Sequence, residues 1–231
     1  MRLAVLAHED VAMSNSSIDP TPRLVDGPSD APATLLLAHG AGAPMDSPFM
    51  AAMASGLVEC GWQVVRFEFT YMAKQRLSGR RSAPDRMPKL KQVFCEQVVK
   101  EAANRPVFIG GKSMGGRVAS LLADELSAKY CVLGCICLGY PFHPFGKPQQ
   151  LRTEHLTEQQ TPTLILQGER DAMGRKDEVE TYALSPKVFL EWIPAGDHSF
   201  KPTRSSGLTE TDNWSAAASH ASNFCKKLLS N

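Results

Sequence analysis

No single kind of charge dominates this sequence. Its 25 Lys and Arg residues offset 24 Asp and Glu residues to a formal net charge of +1. No global field therefore draws the chain to nucleic acid or to an anionic membrane, and neither is expected as a partner. Long apolar runs are missing too. The stretch from Leu3 to Ala7 is interrupted by His8, Glu9 and Asp10, before a membrane span or a secretory leader would be complete. The six cysteines (Cys60, Cys95, Cys131, Cys135, Cys137 and Cys225) include no C-x-x-C pair and no zinc-site spacing, which leaves buried reduced thiols as the expectation. Internal repeats and low-complexity tracts are also absent. Together these features lead to the expectation of a cytoplasmic protein that uses neither metal nor cofactor; they say nothing of oligomeric state.

Apolar material, in contrast, is ample. With 231 residues, 43% of them hydrophobic, the chain is expected to fold as one domain spanning 1–231, with a core that needs no disulfide or metal. Ser, Asp and Pro cluster between Ser14 and Ala33, so residues 1–33 read as N-terminal decoration and 34–231 as the core. From Thr34 onward, short β-rich runs alternate with helix-like segments, the pattern of an α/β fold whose mostly parallel sheet carries helices on both faces. Strands are predicted at Thr34 to Ala38, Gln63 to Phe67, Val107 to Ile109, Gly134 to Leu138, Thr163 to Gln167 and Val188 to Ile193. A first helix is expected to be capped by Ser47, entered through Pro48 and closed by Gly61. Further helices are predicted over Pro88 to Ala103, Ser113 to Ala128 and Asp212 to Leu229, with Val118, Leu121, Leu122 and Leu126 facing the core.

The third strand runs into Gly110-Gly111-Lys112-Ser113-Met114-Gly115-Gly116, followed by a helix. A G-x-S-x-G turn between strand and helix holds its serine in a strained backbone conformation, and the residues two before and two after it have no room for side chains. Ser113 is therefore the candidate nucleophile. A phosphate-binding loop is excluded by spacing, since no glycine stands five residues before Gly111. His39-Gly40-Ala41-Gly42-Ala43, after the first predicted strand, is a second permissive turn. The backbone N–H groups of Met114 and Ala41, with Gly42 as alternative to Ala41, are the expected donors to a developing oxyanion. His39 directly follows a buried strand and reads as structural.

Downstream, Gly168-Glu169-Arg170-Asp171 and Gly196-Asp197-His198 each follow a predicted strand. Parallel strands end at a common edge, so both loops can converge beside Ser113. His198 is the expected base and Asp171 its orienting carboxylate, in the order Ser, Asp, His. Asp197 adjoins His198 and cannot easily turn back onto its ring, and Glu169 is the reserve acid.

On these residues, together with Gly139-Tyr140-Pro141-Phe142-His143-Pro144 and Gln167-Gly168-Glu169-Arg170-Asp171, the chain resembles the α/β-hydrolase superfamily. Within it, the chain more closely resembles small bacterial predicted hydrolases related to the human testis-expressed and NSL-complex hydrolase-like proteins. The likeness spans about Ala33 to the C-terminus. It implies the α/β-hydrolase fold and a hydrolase-like site, but no particular substrate.

About twenty residues separate the Cys135 strand from the Thr163 strand, too few for a helical lid domain. The expected partner is a small-molecule acyl substrate, an ester or thioester. Tyr140, Phe142, His143 and Phe145 are candidates for one wall of its pocket. The basic stretch between Tyr71 and Lys91 reads as a loop on the same sheet edge, and its Arg80 and Arg81 are candidates for binding a substrate carboxylate or phosphate, with Lys112 and Arg117 adding to the same field. Two functions follow: hydrolysis through an acyl-enzyme on Ser113, or a non-catalytic binding or scaffolding module on the same fold.

Overall fold

A computed structural model of the chain describes residues 21–230. The predicted apolar stretch from Leu3 to Ala7 and the first part of the segment from Ser14 lie outside the described residues. The described elements are, in chain order, β1 (Arg23–Asp26), β2 (Thr34–Ala38), α1 (Pro48–Glu59), β3 (Gln63–Phe67), α2 (Thr70–Ser78), α3 (Met87–Ala102), β4 (Val107–Lys112), α4 (Met114–Ser120), α5 (Ala123–Lys129), β5 (Val132–Leu138), β6 (Thr163–Gly168), α6 (Lys176–Val179), β7 (Val188–Ile193) and α7 (Glu210–Leu229). The strands form one sheet in the order β1-β3-β2-β4-β5-β6-β7, parallel except for β1, which pairs antiparallel with β3. This is an α/β-hydrolase fold.

β2, β3, β4 and β6 are buried along their whole length, as their nearly continuous apolar sequences require of strands covered on both faces. Alternation divides their side chains between two cores. Leu36, Val65, Ile109 and Cys135 pack with α3, α4 and α5 through Phe94, Val98, Val118 and Leu126. Leu35, Val64, Phe108 and Ile136 pack with α1 and α7 through Met50, Met53, Ala217 and Ala221. β1 and β7, at the two sheet edges, are only partly buried.

Several boundaries differ from the sequence reading, each for a local reason. β1 falls within the segment read as decoration, where a four-residue edge strand carries too little periodicity to stand out. Part of the predicted basic loop is the helix α2. The single helix expected over Ser113 to Ala128 is two: Leu122 N–H bonds to Ala119 O at 3.0 Å, a tightened turn, and Ser120 Oγ donates to Arg117 O at 3.0 Å. A serine hydroxyl competing for a helix carbonyl bends the chain in this way. α1 starts at Pro48 as expected, but the Ser47 side chain makes no capping bond. Its C-terminus closes on Gly61 as expected, with Gly61 N–H bonded to Val58 O and Trp62 N–H to Leu57 O. α7 begins two residues before Asp212, because Thr209 and Asp212 form a reciprocal capping box. Among the described residues, no helix is long and apolar enough to cross a membrane.

Candidate active site

The ends of β2, β4, β5, β6 and β7 supply the site. β4 continues through Gly110 and Gly111 to Lys112, three residues beyond its predicted end, and delivers Ser113 at the sheet rim. Ser113 has φ 51° and ψ −112°, the strained conformation expected of a nucleophile elbow. Its N–H donates to Leu138 O and its C=O accepts from Arg117 N–H, both at 3.0 Å, so the backbone is fixed on both sides. The flanking glycines are sterically compelled: a Cβ on Gly111 would stand 2.3 Å from Ala38 O, and one on Gly115 2.5 Å from the same oxygen.

The structure brings together His198 and Asp171, the two residues read from the sequence as base and acid. His198 Nδ1 lies 2.7 Å from Asp171 Oδ2, with the Asp171 side chain fully buried and that of His198 27% exposed. Two further donors hold the carboxylate: Gln167 Nε2 reaches Oδ2, and Met173 N–H reaches Oδ1, each at 2.9 Å. The other two acids of these loops are occupied elsewhere. Asp197 Oδ1 accepts from the N–H groups of Ser199 and Lys201, and Glu169 accepts from Ala195 N–H while pairing with Lys176. Ser113 and His198 line the same cavity of about 550 Å³. Although the two line one cavity, no hydrogen bond joins Ser113 Oγ to His198.

Met114 N–H heads α4 and so has no intrahelical acceptor. Ala41 and Gly42 face the cavity with Ser113, and the turn carrying them is held from behind. Tyr71 Oη donates to Ala41 O at 2.9 Å, and burial pushes this phenol above its ordinary range, so it remains a donor. His39 is structural: its ring lies between Gly40 O, 2.6 Å from Nδ1, and Phe69 N–H, which donates to Nε2 at 3.1 Å. Burial lowers its pKa, which suits a neutral ring donating from Nδ1 and accepting at Nε2.

Three supporting residues take roles that the sequence did not assign them. Gln167, at the end of β6, clamps the rim: its Oε1 accepts from Tyr140 N–H at 2.7 Å, while its Nε2 reaches Asp171 and the carbonyls of Tyr140 and Gly174. Tyr71 is the second. Lys112 is the third, a buried lysine whose ammonium donates to His198 O and lies 5.3 Å from the centre of the Phe49 ring. Burial holds it down at about 8 against the opposing pull of Asp171 and Asp197. No local sequence pattern marks the three: Lys112 adjoins the elbow, but Tyr71 stands in the basic stretch and Gln167 near the end of a strand.

The predicted substrate wall requires correction. Tyr140 and Phe142 are fully buried in the α3-side core and His143 is 3% exposed; the Tyr140 ring packs on Phe142, and Phe142 on Tyr182. Of the predicted wall only Phe145 borders a groove beside Ser113, of about 470 Å³, together with Pro141, Pro144, Met87 and Met173. On the other side of Ser113, Phe49 and Trp214 furnish the apolar wall of the 550 Å³ cavity. Arg80 and Arg81 are also displaced from their expected place: both are exposed and border neither cavity. Arg76, from the same basic run, is held by Glu68 and Asp46.

All six cysteines are unpaired; Cys135, Cys137 and Cys225 are buried, whereas Cys131 is exposed. Among the described residues, no group of three or more His, Cys, Asp or Glu side chains is placed to hold a metal ion.

Comparison with known proteins agrees with this architecture. The alpha/beta hydrolase domain family matches residues 31–226. Est1E from Butyrivibrio proteoclasticus, in a structure with bound ferulic acid, superposes with a TM-score of 0.65 at 15% identity, covering 91% of this chain and 96% of that one. A dienelactone hydrolase from Anabaena variabilis gives 0.62 at 23% identity over 87% and 89%. A serine hydrolase without a lid from Xanthomonas campestris gives 0.59 at 22% identity over 84% and 85%. At these identities the likeness is one of fold.

Proposed function

The chain belongs to the alpha/beta hydrolase domain family, and from that premise we propose that it is a serine hydrolase that cleaves small esters or thioesters through Ser113, His198 and Asp171. The observation that carries this reading is the 2.7 Å contact between His198 Nδ1 and Asp171 Oδ2, in a cavity shared with a serine on a strained elbow. A non-catalytic module has no need of that strain.

In the proposed reaction, Ser113 Oγ bonds to the acyl carbon as its proton passes to His198 Nε2. The carbonyl electrons move onto oxygen, which accepts from the N–H groups of Met114 and Ala41, or of Gly42 in place of Ala41. Loss of one such donor typically costs about 3 kcal/mol of transition-state stabilisation. The imidazolium then returns the proton to the departing alkoxide or thiolate as its bond to carbon breaks. Water repeats the sequence and frees the acid. Asp171 fixes the ring tautomer and balances the imidazolium charge.

The connection between β5 and β6 carries only one short 3-10 turn, Glu154–Thr157, which supports an open site and a small substrate. The likeness of the elbow and acid-loop motifs to the small predicted hydrolases related to the testis-expressed and NSL-complex proteins is part of the same reading. Six unpaired thiols support a reducing compartment such as the cytoplasm.

Activity-based labelling with a fluorophosphonate tests the proposal. We expect labelling of the wild-type chain, its loss in Ser113→Ala, and turnover in a panel of short-chain esters and thioesters. Failure to label a folded wild-type sample would overturn the reading and leave the binding or scaffolding module.

A further inference from the structure

Arg117 and Arg152 are the charged cluster that the proposed chemistry leaves unused. Arg117 lies one helical turn after Ser113, and its N–H donates to Ser113 O. Arg152 follows β5, with its N–H donating to Phe142 O at 2.7 Å and its carbonyl accepting from Tyr140 Oη at 2.8 Å. That main chain is anchored to the buried aromatic segment, so the side chain projects from a fixed base. Both arginines are half-buried. Both border the groove beside Ser113, and both also border a cavity of about 450 Å³ behind it, with Leu121 and His155.

Neither guanidinium has a partner among the described residues. No carboxylate lies within ion-pairing distance of either, and Arg117 Nε is buried without an acceptor. Other arginines of the chain differ: Arg23 pairs with Glu101, Arg66 with Asp26, and Arg76 with both Asp46 and Glu68. Burial and the neighbouring Arg117 charge lower the pKa of Arg152. Burial and the same charge bring His155 down to about 4, so it adds no third cation near neutrality. Of the nearby carboxylates, Asp85 in the groove is engaged by Tyr71 N–H and Lys89, and Glu154 and Glu158 stand exposed on the cavity rim. Two like charges held side by side, one with a buried unpaired donor, are an arrangement that a bound anion completes.

We propose that Arg117 and Arg152 form an oxyanion subsite, which binds a carboxylate or phosphate borne by the substrate a few bonds from the carbonyl attacked by Ser113. The assignment rests on the reading of Ser113 as nucleophile. A guanidinium fork matches either group bidentately, and one helical turn, about 5 Å along the axis, sets the scale of the separation. The site thus selects half-esters of short dicarboxylic acids, or small phosphorylated esters, over neutral esters of equal length.

Two measurements on the full chain test this. In the first, kcat/KM is compared for an aryl hexanoate and for the corresponding aryl half-ester of adipic acid. Wild type should prefer the half-ester, and the preference should fall at least ten-fold in Arg117→Gln and in Arg152→Gln. In the second, free adipate and inorganic phosphate are titrated calorimetrically, without turnover. Binding of adipate alone identifies a carboxylate subsite and of phosphate alone a phosphate subsite; in either case affinity should fall at least ten-fold in both variants. Relief of like-charge repulsion should leave the variants' melting temperatures equal to or above that of wild type, and the bound anion should raise only that of wild type. If a glutamine variant does not fold, Arg117→Lys and Arg152→Lys keep the charge but lose the fork, and the same preference should fall. The proposal is overturned if neither anion binds, or if anions bind the variants as tightly as wild type. If Ser113 is labelled by fluorophosphonate while charge makes no difference to turnover or binding, only the subsite fails. If Ser113 is not labelled, the hydrolase reading fails and the titration alone decides the subsite.

Discussion

Two neighbouring central strands deliver their following segments to the same rim, with opposite results. After β4, Lys112 to Arg117 turns sharply and presents Ser113 to a cavity. After β5, Gly139 to Phe145 carries more aromatic material, yet Tyr140 and Phe142 turn inward and become core. The first segment is governed by backbone restraint, because close approach to Ala38 O leaves no room for side chains at Gly111 and Gly115. The second is governed by apolar burial, with Gln167 holding its backbone at Tyr140. The same sheet edge thus builds chemistry where glycine forces a turn, and stability where aromatic rings find a core.

The sharpest way to break this contrast is at the rim. On the proposed chemistry, Asp171→Asn should lower kcat by about a thousand- to ten-thousand-fold, through loss of the productive histidine tautomer. Steady-state kinetics on a sample with wild-type circular dichroism checks it; a loss of only a few-fold would remove Asp171 from its assigned role. For the buried segment the expected loss is in stability. Phe142→Ala should destabilise the fold by about 3–5 kcal/mol. Denaturant titration measures this, whereas a change in substrate preference at unchanged stability would return Phe142 to the pocket wall.

Lys112 sharpens the comparison because it lies at the rim yet is buried. Its folded-state pKa is about 8, depressed from an unfolded value near 10.4. Between these values the unfolded chain binds the additional proton, so this residue makes stability rise from about pH 8 to about pH 10.4 and contributes no slope below that window. Unfolding free energies across the window, compared with those of Lys112→Met, should show the rise only in the wild type. The smallest effect belongs to the exposed basic segment. Arg80→Ala with Arg81→Ala should shift stability by no more than about 0.5 kcal/mol and leave turnover of neutral and anionic esters unaltered, as a parallel kinetic series would reveal.

Much of the sheet was legible because its strands are nearly pure apolar runs, and a parallel strand buried on both faces permits little else. Thr34–Ala38, Gln63–Phe67 and Val188–Ile193 coincide with their predicted bounds. β1 was less visible because it is a partly exposed antiparallel edge, and α2 because it lies in a polar, basic stretch. At the site, Ser113, Asp171 and His198 stood out through the turns that follow successive strands. Gln167, Tyr71 and Lys112 did not, since each acts through a partner remote in sequence, such as Tyr140, Ala41 or His198.

The sequence by itself determined the layered α/β pattern and the strained serine turn, because both follow from local facts: the period of apolar residues and the absence of a Cβ where backbones crowd. Only the tertiary structure decided which aromatic rings are buried, and which arginines are neutralised or left facing the groove. Burial and charge pairing depend on atoms brought together from distant parts of the chain, and no local pattern records that meeting.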